Sequence, residues 1–160
     1  MLTLNHRTVS ALPHRKELGH GLSRTTYALP GSHDVVIKVE DWFTWSDQPD
    51  RSYNRQEWDI WHATADRPNL CKWLARPLYI SPDNTVLIQE RADEPNAYHL
   101  DPTDYQHQLR SLRRSLKAQG LNPNSCDLHT GNVLPKADAP NGHGIIIVDY
   151  ASYEFSFAVL

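Results

Sequence analysis

Cysteine is scarce in this chain, with Cys71 and Cys126 the only two among 160 residues. Two thiols cannot make a disulfide framework, and a reducing cytosol is the compartment expected by default. Long apolar runs are missing as well. The longest aliphatic stretch, Ile145-Ile146-Ile147-Val148, falls far short of the ~20 residues a membrane-spanning helix needs. The N-terminus lacks a basic stretch followed by an apolar core, so no secretory signal is expected. Nor does one sign of charge dominate. Sixteen Lys+Arg against nineteen Asp+Glu leave −3, which offers nucleic acid no general attraction. The nine histidines show no H-x-x-x-H and no Cys/His spacing suited to zinc. No repeat or low-complexity tract is visible. What remains is an ordinary composition, 39% hydrophobic and 22% charged, at the length of one domain.

Turn residues divide the first half into extended pieces. Glu17-Leu18 leads into Gly19-His20-Gly21, and Thr25-Thr26-Tyr27-Ala28-Leu29 resumes the extended pattern. Pro30-Gly31-Ser32 is a turn signal, and the β-branched Val35-Val36-Ile37-Lys38-Val39 reads as a strand. A second hairpin runs Pro77-Leu78-Tyr79-Ile80, Ser81-Pro82-Asp83-Asn84, Thr85-Val86-Leu87-Ile88-Gln89. Tight turns imply antiparallel pairing of about five strands. One helix is expected from about Ser52 to Ala65, stopping before Pro68, with Tyr53, Glu57, Ile60, Trp61 and Thr64 on one face. A second starts at the N-cap Asp101 and Pro102, stops at Gly120, and carries the stripe Tyr105, Leu109, Leu112, Leu116. Arg110, Arg113, Arg114 and Lys117 lie toward its C-terminal end, where the helix dipole favours cations; a solvated face is the expectation there.

Two charges sit where apolar residues are expected. Glu57 shares a helix face with Tyr53, Ile60 and Trp61, and Lys38 interrupts a Val/Ile strand. An uncompensated buried charge costs about 3–5 kcal/mol, so either the two pair or both face solvent. Farther on, Asp127 and Asn132 share a short loop, and Asp149 directly follows a buried aliphatic run. A carboxylate with an amide or second carboxylate suits Mg²⁺, which prefers hard oxygen ligands and brings phosphates with it. Another carboxylate can accept the proton of an attacking hydroxyl. Gly19 and Gly21 would let backbone N–H groups approach a phosphate, although a plain turn also accounts for them. Of the five tryptophans, Trp42 and Trp45 precede the first helix, as a cover over its start or a docking site. One of Trp58 and Trp61 is expected on the strand sheet.

In this order — Gly19/Gly21, Val36-Ile37-Lys38, Glu57, Asp127 to Asn132, Asp149-Tyr150-Ala151 — the residues resemble the protein kinase-like superfamily, over about residues 15–151. The resemblance implies an α+β protein kinase-like fold. An N-terminal five-stranded antiparallel sheet plus one helix (1–91, nucleotide-binding) would join a strongly reduced C-terminal lobe (92–160, catalytic and metal-binding). It implies that Lys38 contacts the α- and β-phosphates of ATP, held by Glu57. Asp127 would orient or deprotonate the acceptor hydroxyl, and Asn132 and Asp149 would ligate Mg²⁺. Backbone groups around Glu90 and Ala92 would take the adenine edge, with Gln89 near the gatekeeper position.

The departures narrow the expectation. Arg24 stands where a third loop glycine would fall, so the loop is less permissive or Arg24 itself reaches phosphate. Ser125 replaces the usual His, and Asp149-Tyr150-Ala151 keeps the metal ligand but loses the flexible glycine. D-x-H-x-x-N, with His129, looks more like aminoglycoside and other small-molecule phosphotransferases. The chain ends eleven residues after Asp149, with no room for an activation segment or a large helical lobe. The expectation is a minimal ATP- and Mg²⁺-dependent kinase acting on a protein hydroxyl, of Ser/Thr type. A small-molecule phosphotransferase, or a nucleotide-binding pseudokinase acting through protein interaction, is the alternative. ATP and a protein partner are expected, nucleic acid and membrane are not, and the compartment is cytoplasmic, or a host cytosol for a phage or effector protein.

Overall fold

The computed structural model describes residues 4–12, 15–21, 23–40, 52–93, 101–121, 128–129 and 131–151. The expectations placed on Trp42, Trp45, Ser125 and Asp127 lie outside these residues. The architecture is α+β. A five-stranded antiparallel sheet is formed by β1 (Lys16–His20), β2 (Arg24–Ala28), β3 (Val35–Glu40), β4 (Pro77–Ile80) and β5 (Val86–Glu90), in the order β1-β2-β3-β5-β4. The helices are α1 (His6–Ser10), α2 (Tyr53–Thr64), α3 (Pro68–Cys71) and α4 (Pro102–Ala118), and β6 (Val133–Pro135) pairs with β7 (Ile145–Ile147). Among the described residues no helix is long and apolar enough to cross a membrane.

Two compact units divide the chain: Met1–Asp59 with Arg76–Arg91, and Ile60–Ala75 with Ala92–Leu160. In the first, turn chemistry sets the hairpins. Gly31 takes φ 79° after Pro30, and Ser32 donates its N–H to the Leu29 carbonyl. Between β4 and β5, Asn84 adopts φ 61°, which asparagine tolerates better than most residues. Asp83 Oδ1 there accepts from the Ser81 hydroxyl and from the Thr85 N–H and hydroxyl.

The central strand β3 is buried almost throughout, and strand alternation sorts its side chains into two different faces. On one, Ile37 and Val39 join Val86 and Val9 in an apolar cluster, with Leu4, Leu12, Tyr27 and Leu29 packed against it. The helix that supplies Val9 begins with a capping box: Asn5 accepts from the Thr8 N–H, and the Thr8 hydroxyl accepts from the Asn5 N–H. Five residues are too few to carry a helical period, so α1 leaves no periodic signature in the sequence. The other face is charged. Arg24 lies opposite Glu40, Thr26 opposite Lys38, Lys38 opposite Leu87, and Val36 opposite Gln89.

The second unit is built on α4. Asp101 caps it by accepting the Thr103 N–H, Pro102 occupies the first turn, and Gly120 takes φ 84° just past its end. Leu109, Leu112 and Leu116 are buried, while Arg110, Arg113, Arg114 and Lys117 are exposed. The three leucines pack with Leu70, Trp73, Leu74, Val133, Ile145, Ile147 and Tyr150. Trp73, only 1% exposed, donates Nε1–H to Ser115 Oγ and stacks on the His143 ring at 4.9 Å. Trp61 packs against this same cluster rather than on the strand sheet. Its position in the last turns of α2 decides this, because Ile60 onward belongs to the second unit.

Leu112 is fully buried, and truncating such a leucine removes transfer energy and leaves a cavity. Leu112→Ala is expected to lower stability by about 2–5 kcal/mol in urea unfolding, while the neighbouring exposed Arg113→Ala stays within about 0.5 kcal/mol. Similar losses for both would show that α4 does not pack by this stripe.

Candidate functional site

The charged face of the first unit converges on one side chain. Glu57 is fully buried, and it accepts hydrogen bonds from residues on three strands. Lys38 Nζ lies 2.8 Å from Oε2 and 3.1 Å from Oε1. Arg24 Nη2 lies 2.8 Å from Oε1, and Gln89 Nε2 reaches Oε2 at 3.3 Å. Lys38 and Arg24 are themselves 5% and 6% exposed, so both ion pairs are desolvated. Low dielectric strengthens attraction and burial penalty together. Burial alone pushes the Glu57 carboxyl up. The Arg24 guanidinium and then the Lys38 ammonium overcome that and hold it at about 2.

The pairing of Lys38 with Glu57 is thus present, and the alternative of two solvent-facing charges is excluded. Arg24 had been expected either to stiffen the loop or to reach phosphate; its Nη2 instead binds Glu57, and its guanidinium lies 5.8 Å from the Tyr53 ring centroid. Three further members were not singled out from sequence. Asn54, fully buried, takes Arg24 Nη1 on Oδ1 and donates Nδ2 to the Asn84 carbonyl at 3.0 Å. Glu40, 2% exposed, accepts at Oε1 from the Ser52 hydroxyl at 2.6 Å and the Asn54 N–H at 2.7 Å. Ser52 Oγ in turn accepts the Arg55 N–H, so Glu40 and Ser52 together cap the start of α2. Burial raises the Glu40 carboxyl, with the Ser52, Asn54 and Arg24 interactions offsetting part of the rise. Gln89, on the neighbouring strand, donates Nε2–H to Glu57. The available signal was two more charges, Arg24 and Glu40, in strand positions that pair with each other.

Gly19 and Gly21 belong to the β1–β2 hairpin, where Gly21 donates its N–H to the Arg24 carbonyl at 2.8 Å. Neither has positive φ. A Cβ on Gly19 would meet nothing within 4 Å, and one on Gly21 would meet only the Arg24 carbonyl at 3.6 Å. Neither backbone conformation nor packing inside the chain therefore demands glycine at these exposed positions. At the end of β5, Glu90 donates its N–H to the Arg76 carbonyl and Arg91 to the Asp34 carbonyl. Ala92 follows, 9% exposed.

In the second unit the β6–β7 ladder sets the backbone positions of two of the expected metal ligands. Val133 pairs with Ile147, and Val148 donates its N–H to the Asn132 carbonyl at 2.8 Å, which leaves Asp149 one residue beyond the pairing. Both Asn132 and Asp149 are half-buried. The turn before Asn132 is closed by His129, whose carbonyl accepts the Asn132 and Val133 N–H groups and whose Nδ1 accepts the Gly131 N–H. A Cβ at Gly131 would stand 2.7 Å from His129 Cε1, so glycine is required there for the ring to approach. An accepting Nδ1 assigns the ring proton to Nε2 in this arrangement. Among the described residues no group of three His, Cys, Asp or Glu could hold a metal ion. Asp127 lies outside the described residues. No protein-family model matches the chain, and no curated protein sequence matches it significantly.

Acid should discriminate between the two buried carboxylates. Glu57 titrates lower in the folded chain than its ordinary 4.5, so its stabilisation is complete above that value and disappears as pH falls toward about 2. Glu57→Gln is expected to cost about 3–5 kcal/mol near neutral pH, and the gap to wild type should narrow between pH ~4.5 and ~2 in urea titrations. Glu40 has the opposite sign. Its raised folded value means that ionising it costs stability as pH rises above its ordinary 4.5. Glu40→Gln should therefore gain on wild type between pH ~4.5 and ~7. A pH-independent difference for either variant would contradict this assignment.

Proposed function

We propose that this chain is a minimal kinase-like phosphotransferase that moves the γ-phosphate of ATP, with Mg²⁺, to a protein hydroxyl. The observation that carries the reading is the fully buried Glu57 carboxylate bound at both oxygens by Lys38. A carboxylate that fixes the direction of a buried ammonium suits phosphate binding. In this reading Lys38 contacts the α- and β-phosphates, and Glu57 sets the direction of its Nζ.

Three observations add support. Gly19 and Gly21 are glycines that the fold does not require, at exposed hairpin positions where a bulky phosphate chain could approach the backbone closely. The Asn132 amide and the Asp149 carboxylate, the latter one residue past the Asn132–Val148 contact, are hard oxygen donors of the kind Mg²⁺ prefers over softer ligands. Mg²⁺, when bound, neutralises phosphate charge; Asn132 and Asp149 would hold it. The order of these residues along the chain is that of the kinase-like superfamily. Asp127 in this reading accepts the proton of the attacking hydroxyl, and the rest of catalysis is positioning.

The decisive measurement is γ-phosphate transfer from labelled ATP into total cell protein, with new phosphosites mapped by mass spectrometry. Wild type should transfer. Asp127→Ala and Asp149→Ala should reduce transfer by a factor of about 10² or more. Gly19→Ala should unfold at an unchanged midpoint yet bind Mg²⁺–ATP more weakly. Nucleotide-dependent thermal stabilisation without transfer would make the chain a pseudokinase, transfer only to small hydroxylic acceptors would move it to the small-molecule class, and no ATP binding would overturn the reading.

A further inference from the structure

We propose that Arg24 is a positioning residue for Lys38. Together with Asn54 and Gln89 it holds the Glu57 carboxylate in place, so the Lys38–Glu57 pair is assembled permanently by contacts internal to the first unit. The inference rests on the phosphotransferase reading for its catalytic consequence, but the hold on Glu57 is a property of the fold alone.

The argument starts from where the restraints on Glu57 originate. A carboxylate carried by a helix and held by one lysine can leave whenever the helix shifts. Here the donors come from β2, β3 and β5, so three neighbouring strands of one sheet define the position of the carboxylate. Arg24 does what the other two donors do not. Its planar guanidinium spans two side chains of the helix, one turn apart, with Nη2 on Glu57 and Nη1 on Asn54 Oδ1. Asn54 is fastened in turn. Its N–H goes to Glu40 at the end of β3, and its Nδ2 goes to the Asn84 carbonyl in the β4–β5 turn. The first turn of α2 is thereby tied to β2, β3 and the β4–β5 turn.

The charged groups facing this cluster are Arg24 from β2, Lys38 and Glu40 from β3, and Glu57 from α2, with Gln89 from β5 and Asn54 from α2 as the neutral members. Every one of these six side chains is buried. A buried network of this kind does not deform gradually, because losing one member strands the polar groups of its neighbours. It follows that the pair needs no separate event, such as a modification or a partner, to bring helix and strand together. Regulation of this site, where it occurs, acts on substrate access.

The test measures the environment of Lys38 directly. Amine-reactive labelling of the full-length chain, read residue by residue by mass spectrometry, is compared for wild type, Arg24→Met and Arg24→Lys, with Lys117 as the exposed reference. Arg24→Met is expected to raise the Lys38 labelling rate about tenfold or more with Lys117 unchanged, because Glu57 loses its second hold and the buried pair opens to reagent. This exposure effect outweighs the slowing from removing a neighbouring cation. Arg24→Lys, which can reach Glu57 but cannot also fork to Asn54, should fall between the two. If Arg24→Met fails to fold by circular dichroism, Arg24→Lys against wild type decides the matter alone. Unchanged or slower labelling in a folded variant overturns the proposal, since it would mean that Arg24 competes with Lys38 for Glu57. Steady-state transfer from Mg²⁺–ATP is run on the same three proteins, and kcat should fall in the order in which Lys38 labelling rises. Wild type that neither binds nor turns over Mg²⁺–ATP would overturn the phosphotransferase reading, while the labelling comparison would still decide the Arg24 hold.

Discussion

A carboxylate fully removed from water is the constraint around which the first unit is arranged. Glu57 cannot be ionised there without cations, and the unit supplies two, from adjacent strands. Each cation is almost as buried as the carboxylate, so removing any one of the three leaves an unbalanced charge in a low-dielectric interior. Hydrophobic burial would be better served by apolar residues at all these positions. The charges kept there give this face of the sheet a polar network in place of apolar packing. Burial raises the carboxyl and two cations lower it to about 2, and this opposition sets the local balance.

The sheet makes this arrangement possible by keeping its two faces distinct. Alternation along β3 sends Ile37 and Val39 to the apolar cluster with Val9 and Val86, and sends Lys38 and Glu40 to the other side. Antiparallel register then aligns Arg24 with Glu40 and Val36 with Gln89 across strands. A slip of one residue would exchange the faces and place every charge in the apolar cluster. The β2–β3 turn at Pro30-Gly31 and the β4–β5 turn at Asp83-Asn84 therefore protect the site as much as the fold. In the second unit the same economy appears on a smaller scale, where a three-residue ladder on the α4 core sets Asn132 and Asp149 at neighbouring positions.

Much of this could be read from residues in order. Asp101, Pro102 and Gly120 bracket α4 because capping and termination are local chemistry, and the structure starts and ends the helix beside them. The five strands were legible for the same reason, since β-branched runs and turn residues carry their own signal. Glu57 and Lys38 were visible as charges out of place. The other members of the network were not. Asn54 looks like any polar residue on a helix, and Gln89 like any strand terminus, until tertiary structure removes both from water. Trp61 shows the same limit, because helical spacing identifies its face but not which core that face meets.

The sequence by itself determined the elements, their turns and caps, and the fact that Lys38 and Glu57 needed partners. These depend on interactions between near neighbours, or on the cost of burying a charge, and neither requires a known fold. Only the tertiary structure decided who the partners are. It gave Glu57 to Arg24 and Gln89 as well as to Lys38, tied Asn54 to Glu40 and the Asn84 carbonyl, and set Asp149 one residue past the Asn132–Val148 contact. Those contacts join residues far apart in the chain through strand register, and register belongs to the whole sheet rather than to any one strand.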